Sequence, residues 1–170
     1  MLLLLLFVGF AGCLAAIGGG GGGEGGGSDG DLSRQEIKSR AVPVGDPVEA
    51  GDLTWTIVGT AQQTERNDLG ERRTGNFIVV DLTVRNNGEE AVTVDTQSLA
   101  ILDDQGLTHE ADTDAYVPSR LDLFLQQINP GVTQQARVVF NIAPDASGLI
   151  LRLGDGDPFT EENGYVNLGI

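Results

Sequence analysis

From Ala41 to the C-terminus the apolar positions recur with a period of two. Leu53, Trp55 and Ile57 alternate with Thr54 and Thr56, setting an apolar face against a hydroxylic one. In the next run Ile78, Val80, Leu82 and Val84 share one face, with Val79, Asp81, Thr83 and Arg85 opposite. It ends at Asn86-Asn87-Gly88, residues that tolerate the positive φ of a tight hairpin. Val92 and Val94 resume the alternation, Leu99 to Leu102 form a short buried run, and Asp103-Asp104-Gln105-Gly106 makes a turn. Leu121, Leu123 and Leu125 predict another strand before the turn Asn129-Pro130-Gly131. Ala136, Val138, Phe140 and Ile142 follow, closed by Pro144, and then Leu149, Leu151 and Leu153 with Arg152 facing out. Tyr165 to Ile170 predicts an edge strand. No window of ten residues holds a 3.6-residue stripe. The expectation is all-β: a two-layer antiparallel sandwich of about seven or eight strands, with Trp55, Phe77 and Phe140 as bulky fillers.

The first forty residues follow another pattern. Residues 1–17 are almost wholly apolar, short for a bilayer crossing of about 30 Å and better suited to a secretory signal core. Within them, Phe10-Ala11-Gly12-Cys13 resembles the lipobox of bacterial and archaeal lipoproteins, which implies a lipidated Cys13 and a membrane anchor through that lipid. Phe10 stands where leucine is usual. No Lys or Arg precedes the apolar run, so the expected start of translation lies upstream of Met1. Residues 18–40 read as a flexible, Gly-rich acidic linker, with a loose helical turn around Leu32 and Ile37. As a coil, the stretch from Leu14 to Arg40 would reach about 29 Å. The expected organisation is signal and lipobox over 1–17, linker over 18–40 and sandwich over 41–170.

Charge narrows the classes of partner. The 170 residues carry 25 acidic and 10 basic side chains, a formal charge of −15. Such a surface opposes nucleic acid, whose phosphates need basic groups to displace counterions. One lysine against nine arginines, and 15 aspartates against 10 glutamates, fit a saline exterior, as in halophilic archaea; an acidic actinobacterial lipoprotein is the alternative. One cysteine and one histidine exclude a disulfide framework and multi-His or multi-Cys metal sites.

The stretch from Asn76 to Gly88 resembles the signature hairpin of a domain-of-unknown-function family. Its members are secreted lipoproteins of immunoglobulin-like fold, related to mycobacterial immunoprotective extracellular antigens. Supporting matches are Leu102-Asp103-Asp104-Gln105-Gly106, Asn129-Pro130-Gly131 and Arg137 to Ile142, in the family's order across about residues 42–153. The resemblance implies an immunoglobulin-like sandwich outside the cytoplasm and carries no catalytic residues; with the lipobox, the expected place is the outer face of the cytoplasmic membrane.

Candidate chemistry is sparse. His109 could act as a base for Ser28, Ser33, Ser39, Ser98, Ser119 or Ser147, but no Gly-x-Ser-x-Gly elbow occurs. An acid pair for hydrolysis can always be picked from 25 acids and so points nowhere. Asp103, Asp104, Asp155 and Asp157 are weak calcium candidates in short acidic loops, without EF-hand spacing. Two polar connections, Thr60–Gly75 and Thr108–Arg120, are candidate recognition loops, with Arg72, Arg73, His109 and Tyr116 their distinctive residues. The expectation is a lipid-anchored, non-enzymatic display domain without a cofactor, binding an envelope protein or polysaccharide. A calcium-stabilised adhesin-like module is the alternative, and a hydrolase using His109 or an acid pair the remote one.

Overall fold

The computed structural model describes residues 32–123, 125–157 and 162–170. The signal segment, Cys13 and the glycine run of the linker lie outside the described residues. Among the described residues, one short helix, α1 (Arg34–Arg40), precedes eleven strands. In chain order these are β1 (Val42–Pro43), β2 (Pro47–Ala50), β3 (Leu53–Asp68), β4 (Glu71–Asn86), β5 (Val92–Val94), β6 (Leu99–Leu102), β7 (Thr108–Glu110), β8 (Gln126–Ile128), β9 (Thr133–Asn141), β10 (Ile150–Gly154) and β11 (Asn163–Asn167). One layer is five-stranded, in the order β1-β11-β10-β6-β7; the other is four-stranded, β2-β3-β4-β9; β5 and β8 pair separately. Every pairing is antiparallel except β1 with β11. The expected two-layer antiparallel sandwich is present.

The dry interior comes from the period-two positions. Leu53, Trp55, Ile57, Ile78, Val80, Leu82 and Val84 meet Leu99, Ile101, Leu151 and Leu153 across the layers, with Val138 and Phe140 from β9. Phe77 departs from expectation: it is fully buried, but on the outer face of the four-stranded sheet, with Val79 and Val139 under Ala115 and Val117. Val79, assigned to the polar face, is buried there for the same reason. A connecting segment covers that patch, and strand alternation cannot reveal it.

Three further expectations are corrected. Thr60–Gly75 is not a loop. β3 and β4 run sixteen residues each and close in the two-residue turn Leu69-Gly70, whose φ values of 55° and 95° make a type I′ hairpin. Their outer halves lose alternation because both faces are wet there, so neither is selected to be apolar. Leu121, Leu123 and Leu125 form no strand: a 3₁₀ turn covers Ser119–Leu121, Leu123 alone reaches the core, and Leu125 is exposed at φ 47°. The last strand, β11, is not an edge, since β1 and β10 flank it.

The end of the expected linker is also folded. Ser33 caps α1 with a full capping box to Glu36, and the Glu36 carboxyl is held below its usual range chiefly by the Ser33 hydroxyl. Ile37 packs on Ile150 and Tyr165, outside the five-stranded sheet, joined by Leu32, Ala41 and Leu102. Arg34 Nη2 donates to the Gly148 carbonyl at 2.6 Å.

Candidate functional site

The hairpin turn and the 108–120 connection are brought together. After β7 the chain crosses to β9, where Ala111 bridges Phe140 and the Asp112 N–H donates to the Val139 carbonyl at 2.7 Å. It then runs over the outer face of the four-stranded sheet, with Ala115 and Val117 on Phe77 and Val79. Asp68, the last residue of β3, fastens this strap to the hairpin. Its side chain is 6% exposed. Oδ1 accepts from Arg66 Nη2 at 3.2 Å and from the Tyr116 N–H at 3.1 Å, while Arg73 Nη1 stands 3.5 Å from Oδ2.

Arg73 completes the joint. Its Nη2 donates to Asp112 Oδ2 at 2.7 Å, and its guanidinium lies 5.4 Å from the Phe77 ring centroid, within cation–π range. The hydrogen bond to Asp112 raises the Arg73 pKa despite the opposing effect of burial, so its positive charge is secure. Arg66 Nη2 also donates to the Tyr116 carbonyl at 3.1 Å. Arg72 instead pairs with Glu65, and both side chains are largely exposed.

Beside this joint lies a cleft of about 410 Å³, lined among others by Leu69, Asp112, Asp114, Tyr116, Asp122 and Arg137. Two of its members are apolar and unusually open: Leu69 is 82% exposed and Tyr116 47%. Arg137, held by Asp81 Oδ1 at 2.6 Å and Oδ2 at 2.9 Å, forms the floor with Val138 and Val139. The hydrogen bond to Asp81 raises the Arg137 pKa. The arrangement offers a mixed surface, with exposed Leu69 and Tyr116 beside Asp112, Asp114, Asp122 and Arg137.

The remaining candidates lie in other surroundings. Asp103 is fully buried and organises the β6–β7 turn: Oδ1 accepts from the Gln105 and Leu107 amides at 2.9 and 2.8 Å, and Oδ2 faces His109 Nε2 at 3.0 Å. Burial pushes its carboxyl up, but the His109 hydrogen bond and the Leu107 and Gln105 amides outweigh that and hold it below its ordinary value. Asp104 Oδ2 accepts from the Ser147 hydroxyl at 2.7 Å. Asp155 Oδ1 accepts the Asp157 N–H at 3.0 Å, in an open acidic cleft with Asp52 and Glu162. Among the described residues, no group of three or more His, Cys, Asp or Glu is placed to hold a metal ion. Nor is any helix among them long and apolar enough to cross a membrane.

Sequence reasoning singled out Arg73 and Tyr116; Arg66 and Asp68 counted there only as charges of the 60–75 segment and Asp112 only as a loop acid, with no sign that they hold the other two. The run Asn67-Asp68-Leu69-Gly70 carried the one available signal, a turn composition inside a segment otherwise read as a loop.

Residues 42–163 match the family described as Domain of unknown function (DUF4352). No curated protein matches the chain. Among solved structures, the yjhA protein from Bacillus subtilis is similar with a TM-score of 0.60 at 14% identity, over 74% of this chain and 98% of that one. The secreted protein MPT63 from Mycobacterium tuberculosis gives a TM-score of 0.55 at 15% identity, over 75% and 95%. A candidate lipoprotein from Bacillus subtilis, ycdA, gives 0.50 at 13%, over 72% of this chain but 39% of its own. At these identities the likeness establishes the β-sandwich fold and nothing beyond it.

Proposed function

Starting from the fact that the chain belongs to the DUF4352 family, we propose that it is an exported, lipid-anchored domain that binds rather than catalyses. Its ligand is a protein or another component of the cell envelope, bound at the cleft between the β3–β4 hairpin and the 111–118 strap. The observation that carries this reading is the Asp68 joint. Two polar segments distant in sequence are fastened by a nearly buried carboxylate, and Leu69 and Tyr116 are held open to solvent beside it. A domain that only filled space would gain nothing from pinning exposed apolar groups on a rigid base. Export and anchoring rest on the apolar leader with Cys13. The secreted and candidate-lipoprotein descriptions of two proteins of like fold support them.

The test has two arms. Cells labelled with a clickable palmitate analogue should incorporate label into the parent chain and not into Cys13→Ala, which should leave the membrane fraction; equal labelling would refute the anchor. Separately, the chain cross-linked in intact cells should capture an envelope component. Leu69→Asp combined with Tyr116→Ala should lower that capture at least tenfold, while Glu89→Gln leaves it unchanged. Undiminished capture by the double variant would refute the cleft as the binding surface.

A further inference from the structure

On the outer face of the five-stranded sheet, Ile150, Tyr165 and Leu102 lie under Ile37 of α1. Beside them the same face carries Arg152 on β10, Ala100 on β6 and Glu110 on β7, paired in register across the three strands. Leu99, Ile101, Leu151 and Leu153 take the alternate positions and fill the interior, so this row belongs to the outer face. Above it is a groove of about 450 Å³, lined also by Thr108 and by Thr96 and Gln97 of the 3₁₀ turn Thr96–Ser98. Ala100 is its nearly buried floor, and a larger side chain there would fill it. The two charged groups flanking that floor are unpaired. Arg66, Arg72, Arg73 and Arg137 each meet a carboxylate. The Arg152 side chain is half-buried, yet among the described residues it has neither ion pair nor hydrogen bond, and nor has that of Glu110. In a chain with 25 acids and 10 bases, an arginine partly withdrawn from water has carboxylates in plenty to pair with, and Arg152 takes none.

We propose that this groove binds a small zwitterion of the amino-acid class, a free amino acid or dipeptide, with its carboxylate on Arg152 and its ammonium on Glu110. The planar guanidinium donates two parallel N–H bonds to a carboxylate, and the Glu110 carboxylate accepts from the ammonium. β10 and β7 stand two strand spacings apart, about 9–10 Å, and an extended dipeptide measures about 7 Å, so side chains leaning in from both strands reach its two ends. Charge selects the class. A bare anion is repelled by Glu110 and by the −15 chain, and a bare cation by Arg152; a ligand neutral overall escapes both and satisfies each group with its opposite. None of the described residues lining the groove carries an aromatic ring, so it offers no platform on which a nucleobase could stack. The groove includes neither Leu69 nor Tyr116, and the proposal stands independently of the cleft beside them.

An NMR chemical-shift titration of the full chain in mild detergent with glycylglycine at neutral pH tests this. Amides of residues 96–100, 108–110 and 150–154 should shift and saturate with a Kd of about 1 mM. Glycylglycinamide, which lacks the carboxylate, and N-acetylglycylglycine, which lacks the ammonium, should each bind at least tenfold more weakly. Arg152→Gln should weaken glycylglycine at least tenfold and leave glycylglycinamide unchanged. Glu110→Gln should weaken glycylglycine as much and leave N-acetylglycylglycine unchanged. These crossed responses separate lost recognition from lost folding. Leu69→Asp combined with Tyr116→Ala should keep the parent affinity. No saturable shift with glycylglycine up to about 10 mM, equal binding of the blocked probes, either single variant at parent affinity, or loss of binding in the Leu69 and Tyr116 double variant would each overturn the proposal.

Discussion

Replacing Asp103 with alanine should destabilise the sandwich far more than a surface turn residue normally would. The carboxylate is fully buried and serves three donors, the Gln105 and Leu107 amides and His109 Nε2. Removing it leaves two amides inside the turn without their acceptor and strips His109 of its partner. Loss of one member of a buried charged network costs about 3–5 kcal/mol. For a domain of this size that corresponds to a fall in Tm of roughly 12–20 °C. Asp103→Asn keeps an acceptor for the two amides and loses only the charge, so its cost should be about 1–2 kcal/mol. The lowered carboxyl pKa adds a pH signature. A group whose folded pKa lies below its unfolded value of about 3.9 stabilises the fold above that value and loses the contribution as pH falls through the folded pKa. Parent stability should therefore decline below about pH 4, and Asp103→Asn should show a shallower acid slope. Urea denaturation at pH 7 and at stepped pH down to 3 measures both. An Asp103→Ala variant within about 1 kcal/mol of the parent would mean that this carboxylate does not organise the turn.

Two further outcomes follow from packing and charge. Ile37→Asp should free α1 from Ile150 and Tyr165 at a cost of about 2 kcal/mol, seen as faster hydrogen exchange over residues 34–41; unchanged exchange would show that the helix holds without Ile37. The melting temperature of the parent should rise markedly between about 0.1 M and 2 M KCl, because its net charge of −15 is then screened. A flat or falling curve in differential scanning calorimetry would count against a saline habitat.

The inner halves of the strands were legible because each meets water on one side only. Leu53, Trp55 and Ile57, or Ile78 to Val84, have one dry face, and alternation records it. Where that asymmetry ends, so does the signal. Gln62, Gln63 and Thr64 are wet on both sides, and nothing in their composition marks them as strand. Phe77 and Val79 mislead for the opposite reason, since their cover comes from Ala115 and Val117, nearly forty residues along the chain. Arg73 and Tyr116 could be picked as distinctive groups in polar stretches. The role of Asp68 arises only when Arg66, Arg73 and the Tyr116 amide converge on it in space.

The bond from Arg34 to Gly148 fixes where the leash is tied. Gly148 follows Ser147, whose carbonyl takes the Asp104 amide, and a few residues earlier the Ala143 carbonyl takes Asn76, in the half of the long hairpin nearer its turn. Knot and fingertip thus share one rim of the sandwich. The first described residues enter the fold at the end of the two layers from which the β3–β4 hairpin projects, and α1 and the cleft beside Leu69 and Tyr116 lie towards that same end.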